Sequence, residues 1–480
     1  MLFEGFGARI EHSHGHVFGG TAVRNPSHLG DTVPPLGHAG PPKPALQDAA
    51  GERNALHEAL RISRGETPMM PVPQLRQNVS SMERRVRMHV RAKMHRFAAI
   101  VPQELVSMCR REMERLGLDI LKESEAGIEF QGKLEACYRA NLWLRTASRI
   151  VCRWLSIKVG AREELFARVV RLPWELWIDA GVPVRVDVYL KGARITHSGL
   201  AQEAFQDALR QRFGTLGRTV RFLKGSHGGG ETEEDTSIQG EGFVQRILLH
   251  VEHKQGVISL DTSGAHLHRR GYRIQHAGAP IRETLAAALL LQSGWTPQMP
   301  LIDGMCGSGT AVIEAALLAA NIPPGRRRQF LFEKWPSFQE KTWAYLLKKA
   351  DAGRKAVQPG TLIGVDRDAK AVVVAQENAR RAGVAEWVTW HAMPFENVDP
   401  QKWSIPSGLV FLNPPYGVRL EVDRSLYERL GRHLERCFRG WKAIVLAPHR
   451  ELLISGAVRP RKIQRLRHGG LSICAGFYDL

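Results

Sequence analysis

The sequence predicts an α/β protein: a mainly parallel sheet with an antiparallel last strand, preceded by two smaller α+β segments. Three observations carry this reading. Short apolar runs ending at Asp303 and Asp366 are each followed by helical periodicity, the pattern of strands covered on both faces. Gly304, Gly307 and Gly309 form a turn between the first of these strands and its helix, one that no β-branched residue could follow. Near the end, runs at 462–466 and 471–477 are separated by only a short turn, so they must pair antiparallel.

Taken in order, residues 1–93 are rich in Gly, Pro and His and lack apolar periodicity, which predicts a disordered extension. His12, His14 and His16 read as a solvated tail, and Arg84 to Lys93 as a basic arm. Order is expected from about Arg96. A strand at 97–101 leads, through Pro102, into a helix with Leu105, Met108, Cys109, Met113 and Leu116 on one face. A strand at 127–130, a helix at 134–144 and a strand at 150–155 complete a split β-α-β unit, giving a first domain at 94–155. The next segment, 156–265, contains a helix at 163–170 and an alternating strand at 184–190. It continues with a helix capped by Ser198 that turns Leu200, Ala204, Ala208 and Phe213 inward. A flexible Gly-rich and acidic insertion at 224–242 and a hairpin at 243–260 close the segment. Residues 266–279 form a basic linker, and 280–480 the catalytic domain, with strands at 301–302, 361–366, 388–390, 409–412 and 442–446.

A net charge of +19 and a pI of about 10.0 imply a polyanionic partner, most simply nucleic acid. No apolar run approaches the roughly 20 residues that span a bilayer. Six scattered cysteines with no C-x-x-C read as reduced thiols of a cytoplasmic protein, and no metal site is expected. No obligatory protein partner is evident.

The glycine order is G-x-x-G-x-G rather than G-x-G-x-x-G, and no Gly-Lys-Ser/Thr follows. With no lysine in the loop to meet a phosphate, a ligand with an adenosine end and an amino-acid end fits best: S-adenosylmethionine. Asp366, at the end of the second strand, is placed to accept ribose hydroxyls. Asn413-Pro-Pro-Tyr416 follows the fourth strand, at the carboxyl edge where open α/β sheets bind ligands. Pro414 and Pro415 stiffen the turn and remove donors, leaving the Asn413 oxygen and the Pro414 carbonyl to hold both hydrogens of an exocyclic amine. Tyr416 offers a ring on which an extruded base can stack.

Asp303-Gly-Met-Cys-Gly-Ser-Gly-Thr310, Phe332-Glu-Lys-Trp335, Arg270-Gly-Tyr-Arg273 and Asn413-Pro-Pro-Tyr-Gly417 resemble the bacterial 23S rRNA guanine-N2 methyltransferases, over roughly residues 94–480. The resemblance implies a Rossmann-like class I methyltransferase domain preceded by ferredoxin-like (94–155) and THUMP (156–265) domains. It also implies a cofactor site of Asp303, Met305, Cys306, Gly307, Ser308, Gly309, Thr310, Asp366 and Arg367, with Pro280, Thr284 and Glu396. RNA contacts are then expected at Arg269, Arg270 and Arg273. Pro394 stands where members of this family often carry an acid for the adenine amine, so Glu396 or Asn397 is expected to substitute. Some members fuse a second methyltransferase domain; this sequence contains one, so activity tied to the second is not expected. The expected activity is methylation of guanine N2 in 23S rRNA. The rivals are a tRNA guanine-N2 enzyme, an N6-adenine DNA or protein-glutamine methyltransferase, and a non-catalytic THUMP RNA-binding factor.

Overall fold

The computed structural model describes residues 81–223, 242–273, 280–415, 423–468 and 470–480. Two seven-stranded sheets organise the body that begins at Met82. The amino-terminal sheet starts with β1 (His95–Ile100), α1 (Val106–Arg115), β2 (Asp119–Ser124), β3 (Gly127–Gly132), α2 (Leu134–Trp143) and β4 (Arg149–Lys158). It continues with α3 (Arg162–Val169), β5 (Val184–Lys191), α4 (Ser198–Gly214), β6 (Gln245–Glu252) and β7 (Gln255–Asp261). The strand order is β2-β3-β1-β4-β7-β6-β5. Strand β4 pairs antiparallel with both β1 and β7, so the expected boundary at 155/156 falls inside a strand shared by both segments. Strand β2 was not legible in the sequence, because all its side chains are exposed or half-buried and leave no alternation.

The carboxy-terminal sheet comprises β8 (Leu301–Asp303), β9 (Leu362–Asp366), β10 (Val388–Ala392), β11 (Leu409–Leu412), β12 (Lys442–Ala447), β13 (Lys462–His468) and β14 (Leu471–Asp479). Its helices are α5 (Glu283–Ser293), α6 (Thr310–Ala319), α7 (Glu340–Ala352), α8 (Ala369–Ala382), α9 (Arg424–Cys437) and the short α10 (Arg450–Leu453). The order is β10-β9-β8-β11-β12-β14-β13, parallel from β10 through β12, with β14 antiparallel to both its neighbours. The chain moves to β9 and β10 on one side of β8 and to β11 on the other. That reversal opens a crevice at the carboxyl ends of β8 and β11.

Several expectations are corrected. Order begins well before Arg96: residues 81–86 are helical and continue into a π-helical turn, Arg87–Arg91. Val86 and Val90 are buried, which fixes this segment on the body. Arg85 donates to Glu175 at 2.6 Å, and Arg91 reaches the carbonyls of Ser337 and Phe338 at 3.1 and 2.9 Å. The expected basic arm is therefore partly docked. Ser198 is the first helical residue rather than a cap, and Leu200 is 46% exposed while Ala204, Ala208 and Phe213 are buried. The expected insertion at 224–242 lies outside the described residues except for Gly242, as do His12, His14 and His16.

The segment between α6 and β9 braces the two sheets. Phe332 stacks on Tyr138 of α2 with ring centroids 4.5 Å apart, and Trp335 Nε1 donates to Gln245 Oε1 of β6 at 2.8 Å. Gly325 donates to the Leu142 carbonyl at 3.0 Å, and a Cβ there would sit 2.9 Å from the Asn141 carbonyl. All six cysteines are free thiols. Among the described residues no helix is long and apolar enough to cross a membrane.

Burial of Val86 and Val90 makes residues 82–93 part of the folded body. A chain starting at Met94 should lose about 3 kcal/mol or more of unfolding free energy relative to one starting at Met82. Chemical denaturation of both chains checks this, and coincident midpoints would show that the segment merely rests on the surface.

Candidate cofactor and catalytic site

The loop after β8 extends the ladder on both sides of the strand. Gly304 N–H donates to the Phe411 carbonyl of β11 and Cys306 N–H to the Val365 carbonyl of β9, both at 2.9 Å. Gly307 (φ +51°) and Gly309 (φ +82°) take left-handed conformations that favour glycine. A Cβ on Gly309 would lie 3.0 Å from both Ala375 Cβ and the Trp390 ring, and one on Gly304 2.4 Å from the Phe395 ring. A Cβ on Gly307 would meet nothing within 4 Å, so the loop presents backbone to open space there.

Two acids flank the loop and differ in environment. Asp303 is buried and accepts from Val312 N–H at 3.2 Å, tying β8 to the first turn of α6. Burial, with the nearby charge of Asp366 adding, pushes its carboxyl up to about 7. Asp366 is half-buried at the end of β9; Oδ2 accepts from Gly307 N–H at 2.8 Å and Oδ1 from Asp368 N–H at 3.0 Å. Each oxygen keeps a second acceptor site for a ligand hydroxyl.

Strand β11 is wholly buried and delivers Asn413 to the crevice. The Asn413 Oδ1 atom is buried and has no hydrogen-bond partner among the described residues. Pro414 is buried and Pro415 exposed, while Tyr416 lies outside the described residues. Ser308 Oγ is likewise buried without a partner, and the Ser308 carbonyl accepts from Asn378 Nδ2 at 3.0 Å. Unpartnered buried oxygens are uncommon in folded proteins and point to a ligand that completes them. Together with the bare backbone at Gly307 and the free acceptor sites of Asp366, the Ser308 hydroxyl fits the polar ends of S-adenosylmethionine, while Asn413 Oδ1 stands apart on the β11 side.

The remaining expected residues divide. Met305 packs on the cluster containing Phe395, and Cys306 is buried with its thiol pushed up by burial. Thr310 is buried and its hydroxyl accepts from Arg273 at 2.8 Å, so it acts within the scaffold. Thr284 is buried, Pro280 and Arg367 are exposed, and Glu396 lies 3.9 Å from Arg429 Nε. The turn at Pro394 is held against β9 by Met393 N–H donating to the Asp366 carbonyl at 2.9 Å. Of the RNA contacts expected at the linker, those at Arg270 and Arg273 are corrected, because both side chains are engaged inside the protein. Arg270 is 2% exposed, pairs with Glu314 and donates to the Leu267 and Arg145 carbonyls at 2.6 and 2.7 Å. Arg273 pairs with Glu283 at 2.9 Å, and Arg269 is half-buried. Sequence reasoning missed Trp390, Phe395 and Asn378, which pack against or hold the loop. A hint existed in Gly364, mid-strand in β9, where a Cβ would lie 2.5 Å from the Trp390 ring.

Comparison with known proteins accords with this arrangement. The family model UPF0020, an RMKL-like methyltransferase domain, matches residues 270–469, and the RlmL ferredoxin-like domain matches 96–151. The chain is 38% identical over 388 residues to the ribosomal RNA large subunit methyltransferase K/L of Syntrophotalea carbinolica, covering 78% of this chain and 52% of that protein. It thus spans about half the length of the K/L proteins it matches. It is 30% identical to the putative RNA methyltransferase slr0064 of Synechocystis sp., covering 80% of this chain and 96% of that one. The crystal structure of SMU.472, a putative methyltransferase complexed with SAH, superposes with a TM-score of 0.68 at 28% identity, covering 81% of this chain and 98% of that one.

The raised carboxyl of Asp303 gives a signed pH dependence. A neutral buried acid contributes its full stability below the ordinary carboxylate range and loses it as pH rises through about 7. Wild-type stability should therefore fall relative to Asp303→Asn between pH 5 and pH 8, by at most about 1.4 kcal/mol per pH unit. Urea melts of both proteins across that range check it; parallel curves would mean that Asp303 is ionised throughout.

Proposed function

The chain belongs to the RMKL-like UPF0020 methyltransferase family, and from that premise we propose that it methylates guanine N2 in large-subunit (23S) rRNA, using S-adenosylmethionine. The observation that carries the reading is Asn413 Oδ1, a buried acceptor at the carboxyl end of β11 without a partner among the described residues. It lies across the switch point from the glycine loop and Asp366. A buried acceptor left open there suits a donor that arrives with the substrate, and an exocyclic amine is such a donor.

Bound S-adenosylmethionine supplies an electrophilic methyl group. Gly307, Ser308 and Gly309 would hold it at the loop, and Asp366 would accept its ribose hydroxyls. Asn413 Oδ1 and the Pro414 carbonyl each accept one hydrogen of the amine. Held by both hydrogens, the amine would have its nitrogen lone pair turned out of the purine ring and toward the cofactor side of the crevice. The chain needs no strong base for this, so orientation contributes most of the rate. Tyr416 would stack on the extruded base. We read residues 156–265 as the THUMP module that binds structured RNA, with the chain acting in the cytoplasm. The net charge of +19 and the rRNA methyltransferases among its relatives support RNA as the substrate.

Asn413→Ala should lower kcat by about 100-fold while calorimetric S-adenosylmethionine affinity stays within about twofold, because the lost contacts form mainly in the transition state. Asp366→Ala should instead weaken the cofactor about ten- to a hundredfold, by loss of charge-assisted hydrogen bonds. Nucleoside mass spectrometry of rRNA and tRNA from cells with and without the protein identifies the product. N2-methylguanosine is expected in 23S rRNA; its appearance only in tRNA, or methylated adenine alone, would overturn the substrate assignment.

A further inference from the structure

With Arg270 and Arg273 of the linker committed to the protein's own partners, other exposed charge is needed to meet RNA. The glycine loop and Asp366 stand on β8 and β9, which leaves the edge over β11, β12, β14 and β13 for substrate. Register fixes what stands there. Cys474 of β14 pairs with Ala447, the last residue of β12, and on its other side with Arg465 of β13; Ser472 pairs with Arg467. Strand β13 thus runs in the direction of β12 and carries Arg465 and Arg467 to the same edge of the sheet as Asn413. Alternation puts both side chains on one face. Arg450 starts α10 immediately beyond β12, and its charge, like that of Arg465, is felt at the Cys474 thiol.

Arg450, Arg465 and Arg467 are exposed, and none makes an ion pair or side-chain hydrogen bond among the described residues. Two carboxylates lie nearby. Glu451 follows Arg450, and Glu104 spends Oε1 on the backbone N–H of Arg467 at 2.6 Å, leaving that guanidinium free. Gln464 Nε2 also donates to the Glu104 carbonyl at 3.1 Å, so the loop after β1 abuts this strand and continues the surface into the amino-terminal half. The opposite end of β13 differs: there Arg461 is paired with Asp479 at 3.1 Å.

We propose that Arg450, Arg465 and Arg467 form a phosphate-binding strip that holds the RNA backbone beside the base presented to Asn413. The proposal rests on the RNA methyltransferase reading of the Asn413 site. From β11 to β13 is three interstrand spacings, about 14 Å, so the strip serves phosphates a few nucleotides from the extruded base. Guanidinium forks match phosphate oxygens in pairs, and contacts of this kind position the strand without reading its sequence.

The test uses the full-length chain, a mixed-sequence single-stranded oligoribonucleotide and protein-free 23S rRNA. The triple variant Arg450→Ala, Arg465→Ala, Arg467→Ala should reduce the slope of log affinity against log salt by about 2, near 0.7 per phosphate contact. It should raise KM for rRNA while kcat at saturating RNA, cofactor affinity and thermal midpoint hold. Glutamine at the same positions should behave alike, separating lost charge from lost packing. Arg459→Ala with Arg461→Ala, at the other end of β13, should leave the slope nearly unchanged. An unchanged slope in the triple variant, or an equal loss in the control, overturns the strip while methyl transfer by wild type preserves the functional reading. Wild type that binds neither RNA overturns both.

Discussion

One buried guanidinium, that of Arg270, holds the two halves of this protein in register. It donates to a carbonyl of the loop after α2 and pairs with Glu314 on α6, the helix that begins at the glycine loop. Arg145, which supplies that carbonyl, itself donates to the Ile322 carbonyl beyond α6 at 2.6 Å, and Glu112 of α1 accepts the N–H groups of Arg145 and Thr146. Charges this deeply buried tolerate no missing partner. Removing one member of such a set typically costs about 3–5 kcal/mol, because its counterpart is left unpaired. The amino-terminal sheet, the linker and the helix under the cofactor loop therefore move together.

That coupling changes the meaning of the basic linker. A run of arginines before the carboxy-terminal sheet suggested a strip facing RNA, yet Arg270 and Arg273 are spent on internal carbonyls and on Glu283 and Glu314. The brace between α6 and β9 has a similar character. Its aromatic residues pack against α2, and Trp335 reaches β6. Both segments fix the orientation of the amino-terminal sheet relative to the crevice.

Within the crevice the two acids serve different ends. Asp303 is dry and keeps its proton to about pH 7, which suits an acid that ties a strand to a helix start. Asp366 is half-open and organised by two backbone N–H groups, which orient its oxygens for a hydroxyl-bearing ligand. The carboxylate of Asp366 gives the site a negative field that favours a cationic sulfonium.

Much of the site was legible in the sequence because it is local. The glycine loop, Asp366 and Asn413-Pro414-Pro415 each sit at the end of an apolar strand, and strand periodicity alone puts strand ends on one edge of a parallel sheet. The antiparallel last pair was legible for the same reason, since a short turn allows no other pairing. What tertiary structure decided is which charges are free and which segments are anchored. Arg270 and Arg465 look alike in sequence, but one is walled in between two domains and the other stands on an edge strand. Val86 and Val90 carry too little periodicity to announce a helix, and packing supplies its stability. Trp390 and Phe395 shape the loop across a distance that sequence spacing does not encode. Local backbone chemistry is written residue by residue, whereas pairing of charges and burial of surface depend on what the rest of the chain brings alongside.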